Sequence, residues 1–156
     1  MSQQVSVQTP GISFPQLQTR ALAGIAAGAK GTIIDYWQVV TGKATNESEE
    51  FHLRTVAQWC ADIARKTGTW FLMAAQINQE GNTRGGEGLK LACDQYYQLH
   101  REKREPGAWL HMEETRYTPY QDIGDDTVPG LYMSSRIGPC FVSPNEWTPD
   151  DRAPNS

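Results

Sequence analysis

The sequence predicts an α/β fold: a mostly parallel sheet with helices on its faces and an antiparallel extension toward the C-terminus. Short apolar runs and helix-period segments alternate through the first half of the chain, the order that builds a parallel sheet. The run Thr32 to Val40 is apolar enough to be buried on both faces, as parallel strands are. In the second half, strand-like runs follow one another across turns without helices between them.

Val5 and Val7 alternate with polar neighbours before Pro10-Gly11, which reads as a short strand entering a turn. Ser13 followed by Gln16 is a capping-box pattern, and Leu17, Ala21 and Ile25 then recur at helical spacing until Gly28. The second strand, within GTIIDYWQVV, runs to Val40, and a polar loop from Thr41 to Asn46 follows. Asn46 with Glu49 is expected to cap the next helix. Leu53, Val56, Ala57, Cys60 and Ala64 line one of its faces, Arg54, Gln58, Asp62 and Arg65 the other, and Gly68 closes it. Trp70 to Ala75 is a third strand, ending at Gln76. Gly81, Gly85, Gly86 and Gly88 then make a loop expected to be irregular. Tyr96 to His100, Trp109 to Met112, Leu131 to Met133 and Cys140 to Val142 read as later strands. Residues 1–142 are expected to form one domain. Residues 143–156, rich in Pro and Asn and without an apolar period, are expected to be a disordered tail.

With 156 residues, 38% hydrophobic and 21% charged, the chain is long enough to bury a substantial core. A net charge of -4 excludes a surface that grips nucleic acid by bulk electrostatics, so any such contact must be local. Cys60, Cys93 and Cys140 are widely separated and lack zinc-site spacing, which fits reduced thiols in the cytoplasm. His52, His100 and His111 are likewise expected to be structural. The five tryptophans are expected to be core or surface anchors rather than a base-stacking platform. No leader-like segment opens the chain and no run of about 18 apolar residues occurs, so no membrane span is expected.

Asp35 is the first candidate for chemistry. A carboxylate at the end of a buried strand lies where α/β nucleotide-hydrolysing folds hold Mg²⁺, because ligands bind beyond the carboxyl ends of the strands. The sequence contains no G-x-x-x-x-G-K-[ST]. GIAAGAKGT, Gly24 to Thr32, is only a superficial match, since Lys30 is followed by Gly31 and a strand where phosphates need a helix N-terminus.

In order, these features resemble the second half of the RecA-like ATPase domain of DnaB-family replicative helicases, a partial P-loop NTPase core. VQTPGISFPQLQTRALAGI is similar to the strand, turn and helix ahead of that family's Walker B strand. IIDYWQVV matches its hydrophobic-D-Y-L-Q-L pattern except at Trp37 and in conservative aliphatic changes. LMAAQIN, Leu72 to Asn78, resembles the strand ending in S-Q-L-N, with Ala75 in place of Ser. TRGGEGLKLACD, Thr83 to Asp94, has the length of the following loop segment.

The resemblance implies roles residue by residue. Asp35 would hold Mg²⁺ or its water, and Gln76 would sense the γ-phosphate of ATP. Arg84 would meet a phosphate of single-stranded DNA, with Gly85, Gly86 and Glu87 offering backbone N–H groups. Arg116 falls on the arginine of the family's K-x-R, which reaches across a subunit boundary toward the transferring phosphoryl group. The implied cofactors are ATP and Mg²⁺. The implied partners are single-stranded DNA, further subunits of a homo-hexamer and a separately encoded N-terminal half.

Glu114 replaces the lysine of K-x-R, Gln79 stands where the family usually has Arg, and Gly85 replaces an acidic residue. The phosphate-binding loop and the catalytic Glu are expected upstream of Met1, so the chain alone is expected to be inactive, as a fragment, split-gene product or remnant. The alternatives are a non-catalytic protein that docks on an intact helicase ring, or part of a recombinase- or circadian-clock-type RecA-like ATPase. In the family's sheet, the strand before the phosphate loop lies between the one ending at Gln76 and the one at Tyr96 to His100. Without it, those two are expected to pair directly or to leave open edges that aggregate.

Overall fold

Three parallel strands, β1 (Val5–Gln8), β2 (Gly31–Ile34) and β3 (Trp70–Met73), form one sheet in the order β1-β2-β3. Val5 lies opposite Gly31, and Gly31 opposite Trp70. The structure, a computed structural model, describes residues 5–8, 11–77, 86–102, 105–134 and 140–148. The chain divides into two compact units, Met1–Cys93 and Asp94–Ser156, where the sequence was read as a single domain over 1–142.

The crossovers in the first unit are α1 (Phe14–Ala26) and α2 (Glu49–Thr67). The capping box of α1 forms as expected: Ser13 Oγ accepts the Gln16 N–H at 3.4 Å and Gln16 Oε1 accepts the Ser13 N–H at 3.0 Å. Leu17 and Ala21 are buried on its inner face. The cap of α2 is Ser48 rather than Asn46, its Oγ accepting the Phe51 N–H at 3.1 Å. Glu47 decides this. It closes a turn over 44–47, accepting the Ala44 N–H at 3.0 Å through its side chain, so the helix begins beyond it. Glu49 and Glu50 at the start of α2, and Arg65 and Lys66 at its end, complement the helix dipole, and Gly68 closes it at φ 66.

Leu53, Val56, Ala57 and Cys60 of α2 are buried, and Phe14, Trp59 and Phe71 meet edge-on with centroids 5.9 and 6.0 Å apart, tying α1, α2 and β3 together. His52 is structural, as expected: buried, with Nε2 3.1 Å from the Val40 carbonyl and Nδ1 3.4 Å from Glu47. Burial pushes the Cys60 thiol up to about 12, which makes it an inert core group.

Several boundaries differ from the sequence reading. β2 stops at Ile34, and Trp37–Val39 coil into a 3₁₀ turn because the Trp37 ring is drawn wholly inside. β3 ends at Met73, so Gln76 lies beyond the strand instead of at its tip. The expected irregular glycine loop is a helix from Gly86 onward, α3 (Gly86–Ala92). Burial of Leu89 and Ala92 outweighs the poor propensity of its glycines, and at Gly88 a side chain would crowd Arg54 of α2.

The second unit is an antiparallel sheet of β4 (Gln95–Arg101), β5 (Gly107–Thr115), β6 (Leu131–Ser134) and β7 (Cys140–Val142), in that order. His100 stacks on Trp109 across the β4–β5 pair at 5.4 Å. Between β5 and β6 an excursion over 116–130 folds back on β5. Ile123 and Leu110 exchange backbone hydrogen bonds, and Asp122 Oδ1 accepts the Met112 N–H at 2.8 Å. Of the tail expected to be disordered, residues 143–148 make defined contacts: Ser143 bonds Glu146, and Trp147 packs on Tyr132 at 5.0 Å and donates to the Met133 carbonyl at 3.3 Å. Residues 149–156 lie outside the described residues.

β3 and β4 are end strands of separate sheets, so the expected direct pairing of the segments at Gln76 and Tyr96 does not form. Trp70 and Leu72 of β3 remain exposed.

Candidate functional site

The carboxyl ends of β2 and β3 meet at one edge of the parallel sheet, the position where α/β folds bind ligands. Asp35 is the first residue past β2 and its side chain is exposed. The Asp35–Tyr36 peptide bond is cis. Immediately after it, Trp37 is fully buried and anchors the turn in the core.

Backbone pairing continues beyond both strands. Ala74 N–H donates to the Ile34 carbonyl at 3.0 Å, and Trp37 N–H donates to the Ala74 carbonyl at 3.1 Å. The Gln38 side chain then takes over: its Nε2 donates to the Gln76 carbonyl at 2.9 Å and its Oε1 accepts the Gln76 N–H at 3.3 Å. Asp35 and Gln76 are thus held on neighbouring stitched segments, both with exposed side chains.

Among the described residues no group of three or more His, Cys, Asp or Glu could together hold a metal. Mg²⁺ at a nucleotide does not need one. It is held by one or two carboxylates, with water and phosphate oxygens completing its octahedron. An exposed hard-oxygen ligand at a strand end, as Asp35 is, fits that donor set.

The other sequence candidates are distributed differently. Gly86 and Glu87 form the first turn of α3, while Arg84 and Gly85 lie outside the described residues. Arg116 follows β5 in the second unit, is exposed, and donates its backbone N–H to the Asp94 carbonyl at 3.0 Å. Glu114 is exposed on β5, opposite Tyr96. Sequence reasoning gave Gln38 no role, although it sits in the same D-Y-W-Q run as Asp35. Its spacing from Asp35 was the available signal.

Two solved structures share this arrangement. One is an ATPase domain of the DnaB-like helicase group, with a TM-score of 0.65 at 16% identity, covering 85% of this chain and 52% of that one. The other is a DnaB-like replicative helicase studied with its primase interactions, with a TM-score of 0.60 at 16% identity, covering 72% of this chain and 32% of that one. The chain has a DnaB-like helicase ATPase fold. It spans about half the length of the first structure, 52%, and about a third of the second, 32%. No protein-family profile and no curated protein matches the sequence. Within this DnaB-like fold Asp35 and Gln76 share one edge of the parallel sheet, and Arg116 belongs to the other unit. Among the described residues no helix is long and apolar enough to cross a membrane.

Proposed function

We propose that this chain is the second half of the ATPase domain of a DnaB-like replicative helicase, coupling ATP hydrolysis to movement along single-stranded DNA and to unwinding. The observation that carries the reading is the pairing of an exposed Asp35 with an exposed Gln76 at the ends of adjacent parallel strands, held together by Gln38, in a helicase ATPase fold.

In this reading Asp35 supplies a carboxylate oxygen to Mg²⁺ or to one of its waters. Bound Mg²⁺ bridges phosphate oxygens of ATP and offsets charge that develops on them during transfer. Gln76 faces the terminal phosphate through its amide. Arg116 stabilises the same charge from a neighbouring subunit of a homo-hexamer. Arg84, Gly85, Gly86 and Glu87 contact the DNA backbone, and the phosphate-binding loop comes from a segment outside these 156 residues.

The test is reconstitution. The chain is combined with a polypeptide carrying the phosphate-loop half, and hydrolysis is measured with and without single-stranded DNA. DNA-stimulated hydrolysis that Asp35→Ala abolishes supports the reading; activity that survives Asp35→Ala refutes it.

A further inference from the structure

The backbone ladder joining the ends of β2 and β3 runs out at Trp37, where the chain coils into its 3₁₀ turn and can no longer present main-chain groups to the segment after Met73. Gln76 therefore has no strand partner on that side, yet both of its main-chain groups are engaged there by a single side chain. The amide of Gln38 copies the donor and acceptor of a missing strand residue. Its base is rigid, because the preceding Trp37 is fully buried.

We propose that Gln38 is a positioning residue that fixes where Gln76 stands relative to Asp35. The role rests on the reading of Asp35 and Gln76 as nucleotide-facing groups. The chemistry demands this side chain. Glutamine alone offers an N–H donor and a carbonyl acceptor at this reach, whereas glutamate keeps only acceptors and methionine keeps the length with neither. The two hydrogen bonds are of different kinds, so they can be removed separately. Without the Gln38 donor, the Gln76 carbonyl is free to turn. Without the Gln38 acceptor, the Gln76 N–H opens to solvent. In both cases the amide that meets the terminal phosphate loses its fixed origin, while Asp35, held by its own backbone, stays in place.

The experiment compares the full chain with Gln38→Met and Gln38→Glu by hydrogen exchange at the Gln76 amide, and compares kcat with KM for ATP in the reconstituted pair. Gln38→Met is expected to speed Gln76 exchange about tenfold, the scale of one lost hydrogen bond. Gln38→Glu keeps an oxygen for that N–H and is expected to leave exchange near the wild-type rate. Both variants are expected to lower kcat about tenfold with KM unchanged, because positioning acts on the reacting complex and not on nucleotide capture. A Gln76 amide that exchanges equally fast in wild type and Gln38→Met overturns the proposal, as does an unaltered kcat in both variants. A wild-type pair that hydrolyses nothing, with the exchange difference intact, overturns the functional reading and leaves the Gln38–Gln76 bond standing.

Discussion

The indole of Trp70 lies against the α-carbon of Gly31, its partner across the β2–β3 ladder, so closely that a methyl group on Gly31 would run into Cε2 and Cδ2 of the ring. Glycine is required at this position by close approach. Gly31→Ala is expected to destabilise the first unit by about 1 to 3 kcal/mol, or to swing Trp70 away from the sheet. Urea unfolding and the emission maximum of tryptophan fluorescence report the two outcomes, and an alanine variant unchanged in both would contradict the contact.

Thr32 is 1% exposed and its hydroxyl has no hydrogen-bond partner. Leaving a buried polar group unpaired costs about 1 to 3 kcal/mol, and an apolar group of the same shape removes that cost. Thr32→Val is therefore expected to stabilise the chain by about 1 kcal/mol, read as a higher unfolding midpoint. A drop in the midpoint would show that the hydroxyl is paired in solution.

Asp122 is held below the usual carboxylate range, chiefly by the Met112 N–H and next by His111. Because the shift is downward in the folded state, its contribution is fully present above the unfolded value of about 3.9 and is lost as pH falls through the lower folded value. Asp122→Asn keeps an acceptor for Met112 but carries no charge. The stability gap between wild type and this variant is expected to be constant near neutrality and to close below about pH 4. A gap that persists into strong acid would refute the charge-based account.

Cys60 is fully buried, with its thiol pushed up to about 12 by burial. Alkylation at neutral pH is expected to reach it only through global unfolding, so that its rate, followed by mass spectrometry of the labelled peptide, tracks added denaturant. Rapid labelling in the native state would contradict the packing of α2.

What the sequence made legible was local. The capping box of Ser13 and Gln16, the inward face of α2 and the delivery of Asp35 to a strand end all follow from spacings of a few residues. What it hid was tertiary. Gly86 and Gly88 argued against a helix that burial of Leu89 and Ala92 nevertheless enforces. Asn46 and Ser48 were equally good caps until the Glu47 turn chose between them. The Gln38–Gln76 bonds span 38 positions and leave no period to read. Trp147, in a segment with no apolar pattern, packs because Tyr132 presents a ring to it.

The claim on which the rest depends is that Asp35 attends a metal–nucleotide complex beside Gln76. Its most direct test replaces Mg²⁺ with paramagnetic Mn²⁺ in the reconstituted pair with ATP and follows line broadening of backbone amide signals. Broadening is expected to be strongest from Asp35 to Gln38 and at Gln76, and to disappear in Asp35→Asn. Broadening that is absent from these amides, or that persists unchanged in Asp35→Asn, would contradict the account.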